Sequence, residues 1–157
     1  MPHRILFVCL GNICRSPLAE AAFRAEAERL GLDAEVDSAG TGGWHAGEPP
    51  DRRAIAAARR GGVDISQLRA RRVTPSDFER FDHIVALDEE NLADLTAIRP
   101  AGSRARLSLL LDHAPGRAGQ AVADPYYGSD SHFDLTWRDV VDGARGLTAA
   151  LQKESAR

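Results

Sequence analysis

Residues 5–9 (ILFVC) form an apolar run with no polar interruption, and the eight residues that follow, LGNICRSP, are dense in turn and helix-start types. An alternating strand buries one face; an unbroken run suits a central parallel strand buried on both. Parallel neighbours need crossover connections, so this segment already commits the chain to strands alternating with helices. Ser16 and Pro17 read as an N-cap and a first helical position, and Ala19, Phe23, Ala27 and Leu30 recur at helical spacing up to Gly31. A second strand fits residues 34–38, a third 83–87 (HIVAL), and residues 105–111 contain a fourth. Helices are expected over 51–60, in a short segment opened by Thr74-Pro75 with Asp77, over 89–97, and at the C-terminal end. There Phe133, Trp137, Val140, Ala144, Leu147 and Leu151 form one stripe. The expected fold is α/β: a single-domain, doubly wound, four-stranded parallel sheet with helices on both faces, residues 1–157 making one unit.

Ligands of such sheets bind at the carboxyl ends of the strands, where the strand order reverses. The loop after Cys9 lies at such an end, and residues 120–131 (QAVADPYYGSDS) form the longest stretch that is neither strand nor helix. Composition narrows the partners. Twenty Lys plus Arg against 23 Asp plus Glu leave a formal charge of −3, which gives no support for nucleic acid or an anionic membrane as partner. No apolar run approaches the roughly 20 residues that span a bilayer. The N-terminal apolar run is too short for a signal peptide, so a cytoplasmic location is expected. In that compartment a cysteine is more often chemical than structural.

The chain has only two cysteines, Cys9 and Cys14, and both fall in one loop. A strand, a tight loop and a helix start converge backbone N–H groups on one point, and the helix N-terminus favours negative charge there. Gly11 and Asn12 suit the bend, since both tolerate torsions that other residues resist. The nucleotide-binding pattern G-x-x-x-x-G-K-[ST] is absent; in place of its lysine stands Arg15, whose planar fork holds two phosphate oxygens. A helix N-terminus and a nearby cation lower a thiol's pKa to roughly 3.5–7.5, and a thiolate attacks phosphorus with no separate base. Ser16 is near enough in sequence to donate a hydrogen bond to the sulfur. Taken alone, Cys9 would read as a buried strand-end thiol. Two cysteines without a convincing His pair do not complete a zinc site, and His3, His45, His83, His113 and His132 show no metal spacing. Most of these histidines are expected in solvent or at caps, and no metal or cofactor is expected.

Cysteine, five residues, then Arg and Ser is the pattern of cysteine-dependent phosphatases. The longer VCLGNICRSP, near the N-terminus, resembles the low-molecular-weight protein tyrosine phosphatase family. DSAGTGGWHAGEPPD (residues 37–51), DHIVALDEENLADL (82–95) and DPYYG (124–128) also resemble family segments, in the expected order. The resemblance implies that Cys9 is the nucleophile, Arg15 the clamp on the phosphoryl oxygens, and Asp124 the acid for the leaving oxygen and then the base for water. It implies phosphate contacts along Leu10, Gly11, Asn12, Ile13, Cys14 and Ser16. Asn12, Ser16 and Ser38 match the polar network that holds the loop, while Trp44, Tyr126 and Tyr127 match aromatic walls of the mouth. One position departs: where the family often has a histidine before x-A-R-x-[hydrophobic]-T, this chain has Leu68. Cys14 has two readings, a reversible disulfide partner that protects Cys9 or a residue packed behind the loop.

The implied reaction is hydrolysis of phosphotyrosine, an aryl phosphate monoester, through a phosphocysteine. The implied partner is a tyrosine-phosphorylated protein, with bacterial tyrosine kinases among the candidates. An arsenate reductase shares this loop type but needs further cysteines, and none follows Cys14. A phosphopeptide-binding module without turnover would not require Cys9, Arg15 and Asp124 together. A receiver domain, suggested by Asp88 after an apolar strand, lacks its acidic cluster and lysine.

Overall fold

The computed structural model describes residues 2–156. Its elements are β1 (His3–Cys9), α1 (Arg15–Leu30), β2 (Ala34–Gly40), α2 (Arg52–Arg60), α3 (Asp77–Arg80), β3 (His83–Ala86), α4 (Glu89–Ile98), β4 (Arg106–Leu109) and α5 (Asp130–Ser155). A 3-10 turn, Leu110–His113, follows β4. The strands lie in the order β2-β1-β3-β4 and every pairing is parallel. The expected α/β fold is therefore present, and the order reverses between β1 and β3, beside the loop that follows Cys9.

The unbroken apolar run of β1 has a direct structural cause. Ile5, Phe7 and Cys9 face a core layer with Leu18 and Phe23 of α1, Ala54 and Ala57 of α2, and Phe133 and Leu147 of α5. Leu6 and Val8 face the opposite layer, with Phe78 of α3, Ile84 and Ala86 of β3, and Leu95 of α4. From Ile5 to Cys9 neither face of β1 meets water, so neither tolerates a polar residue there; the polar His3 and Arg4 fall at the partly exposed start of the strand. Cys9 thereby points toward α1, the helix whose first turn carries Arg15 and Ser16.

Two local expectations need correction. Helix α1 begins at Arg15 with Cys14 in the N-cap position and no side-chain cap, rather than with Ser16 capping Pro17. The Ser16 hydroxyl is engaged inside the loop instead. His83 is not solvated: it is 8% exposed on β3, and burial pushes its pKa below the ordinary histidine value. His132 does cap, accepting from the Ser129 amide at the start of α5.

Candidate active site

Cys9 ends β1, and residues 10–14 turn back over its sulfur before α1 begins. The bend depends on Asn12, the one non-glycine residue in the left-handed region among the described residues (φ 58°). Gly11 does not adopt that region, which corrects the expectation that it supplies the unusual torsion. Its lack of a side chain matters for space, because a Cβ there would stand 3.1 Å from the His45 ring. Gly40, at the end of β2, is tighter: a Cβ would lie 2.8 Å from the Leu10 carbonyl oxygen. That close approach lets Thr41 and Gly42 donate backbone hydrogen bonds to the Cys9 and Leu10 carbonyls, at 2.9 and 3.0 Å.

Asn12 is fixed at both ends of its amide. Its Oδ1 accepts from the Arg71 backbone N–H at 3.0 Å, a group that only donates, so Nδ2 faces the two serines. Nδ2 donates to Ser16 Oγ at 2.7 Å and to Ser38 Oγ at 3.0 Å. Ser38 passes its own hydrogen to Glu20 Oε1 at 2.7 Å. Ser16, already an acceptor, has one hydrogen, for which the Cys9 sulfur at 3.0 Å is a nearer acceptor than the Ala39 carbonyl at 3.5 Å. The result is a buried chain of donors running outward from one asparagine, with a sulfur at one end and a carboxylate at the other. Burial raises the Glu20 pKa, opposed by its bonds to Ser38 and Arg24.

The position of Leu68 bears on that last carboxylate. Leu68 packs, half-buried, against the main core and shares a surface recess with Glu20 and Arg24. The second oxygen of Glu20 accepts from Arg24 Nη2 at 2.7 Å, one helical turn along α1. The polar network thus ends in an ion pair on one helix and needs nothing from position 68.

Arg15 is 3% exposed. Nη1 donates to Asp88 Oδ2 at 2.6 Å and to the Val122 carbonyl at 3.0 Å, using both of its hydrogens. Nη2 stands 3.7 Å from Asp124 Oδ2. The Nε–Nη2 edge is therefore the fork that remains for two oxygens of a phosphoryl group. Burial works against the Arg15 charge, but the Cys9 charge and the Asp88 bond outweigh it and hold its pKa above the ordinary arginine value. The backbone amides of residues 10–14 donate to no other group among the described residues, which makes them the natural cradle for an anion.

Sequence reasoning missed Asp88, Glu20, Arg71 and Arg53. Asp88 does double duty: Oδ1 caps α4 by accepting from the Asn91 amide at 2.7 Å, while Oδ2 holds Arg15. Its signal was present as an acid after an apolar strand beside the point where the strand order reverses. Cys14 and Cys9 are both buried, free thiols. Burial, then Asp51 and Cys9, pushes the Cys14 pKa well above the ordinary thiol value, which keeps it protonated.

The mouth is a cavity of about 240 Å³ that reaches Cys9 and Arg15 past Leu10, Ile13, Trp44 and His45 on one side and Asp124 and Tyr126 on the other. Trp44 is 72% exposed and Tyr127 97%, so these rings project around the opening rather than packing on the core. Tyr126 and Tyr127 meet edge to face with centroids 5.0 Å apart. Asp124 lies at the rim, its Oδ1 accepting from the Tyr126 amide at 3.1 Å. Ten of the thirteen positions expected at the site line this opening; Asn12, Ser16 and Ser38 lie below it, in the buried network.

A thiol in the floor of a strand–loop–helix cradle, with a buried arginine fork beside it and an acid at the rim, defines a phosphoryl-transfer site of the cysteine-dependent type. The model of the family described as low molecular weight phosphotyrosine protein phosphatase matches residues 4–157. The low molecular weight phosphotyrosine protein phosphatase of Schizosaccharomyces pombe is 44% identical over 151 residues, covering 94% of this chain and 96% of that protein. The crystal structure of YfkJ from Bacillus subtilis is 39% identical with a TM-score of 0.90, covering 98% of this chain and 97% of that one. A protein tyrosine phosphatase from Entamoeba histolytica, crystallised with Hepes in its active site, is 32% identical with a TM-score of 0.92, covering 98% and 99%. The chain belongs to the low molecular weight phosphotyrosine protein phosphatase family.

Proposed function

We propose that this protein is a protein-tyrosine phosphatase that hydrolyses aryl phosphate monoesters in a single domain, with Cys9, Arg15 and Asp124 as its catalytic groups. The observation that carries the reading is the convergence of the Cys9 sulfur, the open edge of Arg15 and the free amides of residues 10–14 on one anion-sized space. The Cys9 thiolate attacks phosphorus as the bond to the leaving oxygen breaks, and Asp124 gives that oxygen its proton. Water then attacks the phosphocysteine while the Asp124 carboxylate takes up a proton, the sulfur–phosphorus bond breaks, and phosphate leaves with the thiolate restored. Ser16 steadies that thiolate in both steps, and Arg15 with the loop amides follows the phosphoryl charge throughout. Trp44, Tyr126 and Tyr127 give a flat aryl group faces and edges to stack on.

The substrate in this reading is a tyrosine-phosphorylated protein, and a bacterial tyrosine kinase is one candidate; the setting is the cytoplasm. Among the described residues no helix is long and apolar enough to cross a membrane. The Cys9→Ser variant tests the mechanism on an aryl phosphate. It is expected to bind inorganic phosphate and to lose turnover to background. Retention of most of the wild-type rate would rule out Cys9 as the nucleophile.

A further inference from the structure

Arg53 occupies the first turn of α2, a turn that carries two arginines and no acidic residue. Positive charge there opposes the helix dipole, so the dipole gives no reason for an arginine at this position. Its side chain is nevertheless held at four points. Nε and Nη2 donate to Asp51 Oδ1 and Oδ2 at 3.1 and 3.0 Å. Nη1 donates to the Gly128 carbonyl at 3.1 Å and Nη2 to the Tyr126 carbonyl at 2.9 Å. The guanidinium lies over the buried Phe133 ring, 4.5 Å from its centroid.

Each end of this clamp reaches the site. Asp51 caps α2, and its backbone N–H donates to the Ile13 carbonyl of the phosphate loop at 2.8 Å. At the other end, Tyr126 is gripped by its carbonyl while its amide donates to the Asp124 carboxylate at 3.1 Å. One peptide unit away from the clamp is therefore the donor that orients Asp124. The segment's own internal bond, Gly128 N–H to the Pro125 carbonyl at 2.8 Å, closes the turn but does not fix it to the rest of the protein.

We propose that Arg53 is a positioning residue for proton transfer: it sets the distance between the phosphate loop and the acid-bearing segment, residues 124–128. The inference rests on Asp124 as the proton donor and deepens that reading. Arg53 touches neither substrate nor the reacting atoms. It acts on the acid and leaves phosphate binding to the loop and Arg15. An acid out of place matters most when the leaving oxygen is basic and needs its proton early, and least when the leaving group departs unaided.

The experiment measures kcat/KM over a series of aryl phosphates, from p-nitrophenyl phosphate to phenyl phosphate, for wild type, Arg53→Met, Arg53→Lys and Asp124→Ala. Inhibition by inorganic phosphate and thermal stability are measured alongside. Arg53→Met is expected to lose about 10- to 100-fold on phenyl phosphate, the size of a small misplacement of a reacting group. On p-nitrophenyl phosphate it should lose less than about threefold, with phosphate inhibition unchanged within about twofold. Arg53→Lys, with a point charge in place of a fork, should fall between Arg53→Met and wild type. The steeper leaving-group dependence should match in direction that of Asp124→Ala. If Asp124→Ala steepens the series and Arg53→Met lowers all substrates equally or none, Arg53 does not position the acid, and the acid assignment stands. If Asp124→Ala leaves the slope unchanged, the acid assignment fails and takes the inference with it. Should Arg53→Met not fold, Asp51→Asn keeps the helix cap but removes the countercharge, and a slope like wild type's in that variant overturns the proposal.

Discussion

Removing the charge of Asp88 should cost both stability and catalysis, by an amount that its contacts allow to be worked out. Asp88 uses one oxygen for the cap of α4 and the other for Arg15, at 2.7 and 2.6 Å. Asparagine at this position has one acceptor where aspartate has two, so it satisfies either the cap or the guanidinium. Placing its oxygen on the cap turns its NH₂ toward Arg15 Nη1, donor against donor. A hydrogen bond to a charged group contributes about 1.5–3 kcal/mol, and breaking one side of a buried pair costs about 3–5 kcal/mol. Asp88 is 24% exposed at its side chain and Val122 still accepts from Nη1, so the lower range applies. We expect Asp88→Asn to lose about 2 kcal/mol, and Asp88→Ala about 1 kcal/mol more through the missing cap. If half of that loss reflects freedom of the Arg15 fork, kcat/KM for an aryl phosphate falls about fivefold, since about 1.4 kcal/mol is tenfold. Urea unfolding followed by tryptophan fluorescence, with the m-value held constant, measures the first quantity, and steady-state kinetics the second. An Asp88→Asn variant with the wild-type midpoint and wild-type kcat/KM would show that Val122 and the loop alone fix Arg15.

Two further outcomes follow from other contacts. Burial pushes the Asp77 carboxyl up, but its bonds to Arg71 and the Thr74 amide outweigh burial and hold it below the usual aspartate value. Its contribution is therefore present above the unfolded value of about 3.9 and is lost as pH falls through the lower folded value. Asp77→Asn should be less stable than wild type by about 2 kcal/mol near neutral pH, with the gap closing below about pH 4; a gap that stays constant from pH 7 to 3 in urea titrations would remove the ionised pair as its cause. At the mouth, a Cβ on Gly42 would fall 1.8 Å from Trp44 Cζ3, so Gly42→Ala must displace the indole. KM for an aryl phosphate should rise about two- to tenfold, as for loss of one aromatic contact, while inhibition by inorganic phosphate stays put; an unchanged KM would mean that Trp44 is no wall.

The parts of the molecule that were legible in the sequence share one property: their cause is local. Strand β1 announces itself by an apolar run because both of its faces are covered, and α5 by a stripe because one face is. The phosphate loop is legible because Cys9, Asn12, Arg15 and Ser16 act on one another within seven residues. The partners of Asp88 and Arg53 were not legible, because they stand 73 and 75 residues away, although Asp88 itself stood out as an acid after an apolar strand. Ser16 shows how local signals mislead. A serine before proline is a good N-cap, yet its hydroxyl is already committed to the sulfur and to Asn12, and α1 starts two residues earlier without a side-chain cap. Glu20 carried a weaker signal, an acid on the buried side of α1 one turn beyond Ser16, whose meaning appears only when Ser38 arrives from β2.

The two catalytic halves are held by different means, and this separates chemistry from choice of substrate. The phosphate loop rests on buried groups: Asn12, Arg15 and Ser16 are each 3% exposed or less, Asn12 is tied to the Arg71 amide, Arg15 to the Val122 carbonyl, and Ser16 to Cys9 and Asn12. A buried, fully paired polar network has one low-energy arrangement, because any alternative leaves a donor or acceptor without a partner. The mouth is built oppositely. Trp44, Tyr126 and Tyr127 are exposed, and residues 124–128 are fastened to the body by Arg53 at two carbonyls and by the Arg15–Asp124 ion pair at 3.7 Å. Side chains there change without opening a cavity or stranding a buried polar group, so substitutions at the mouth cost little stability. Changes in the loop disturb every member of the network at once. Selection for a new phosphoprotein partner is therefore free to act on the rim while the Cys9–Arg15 geometry stays fixed.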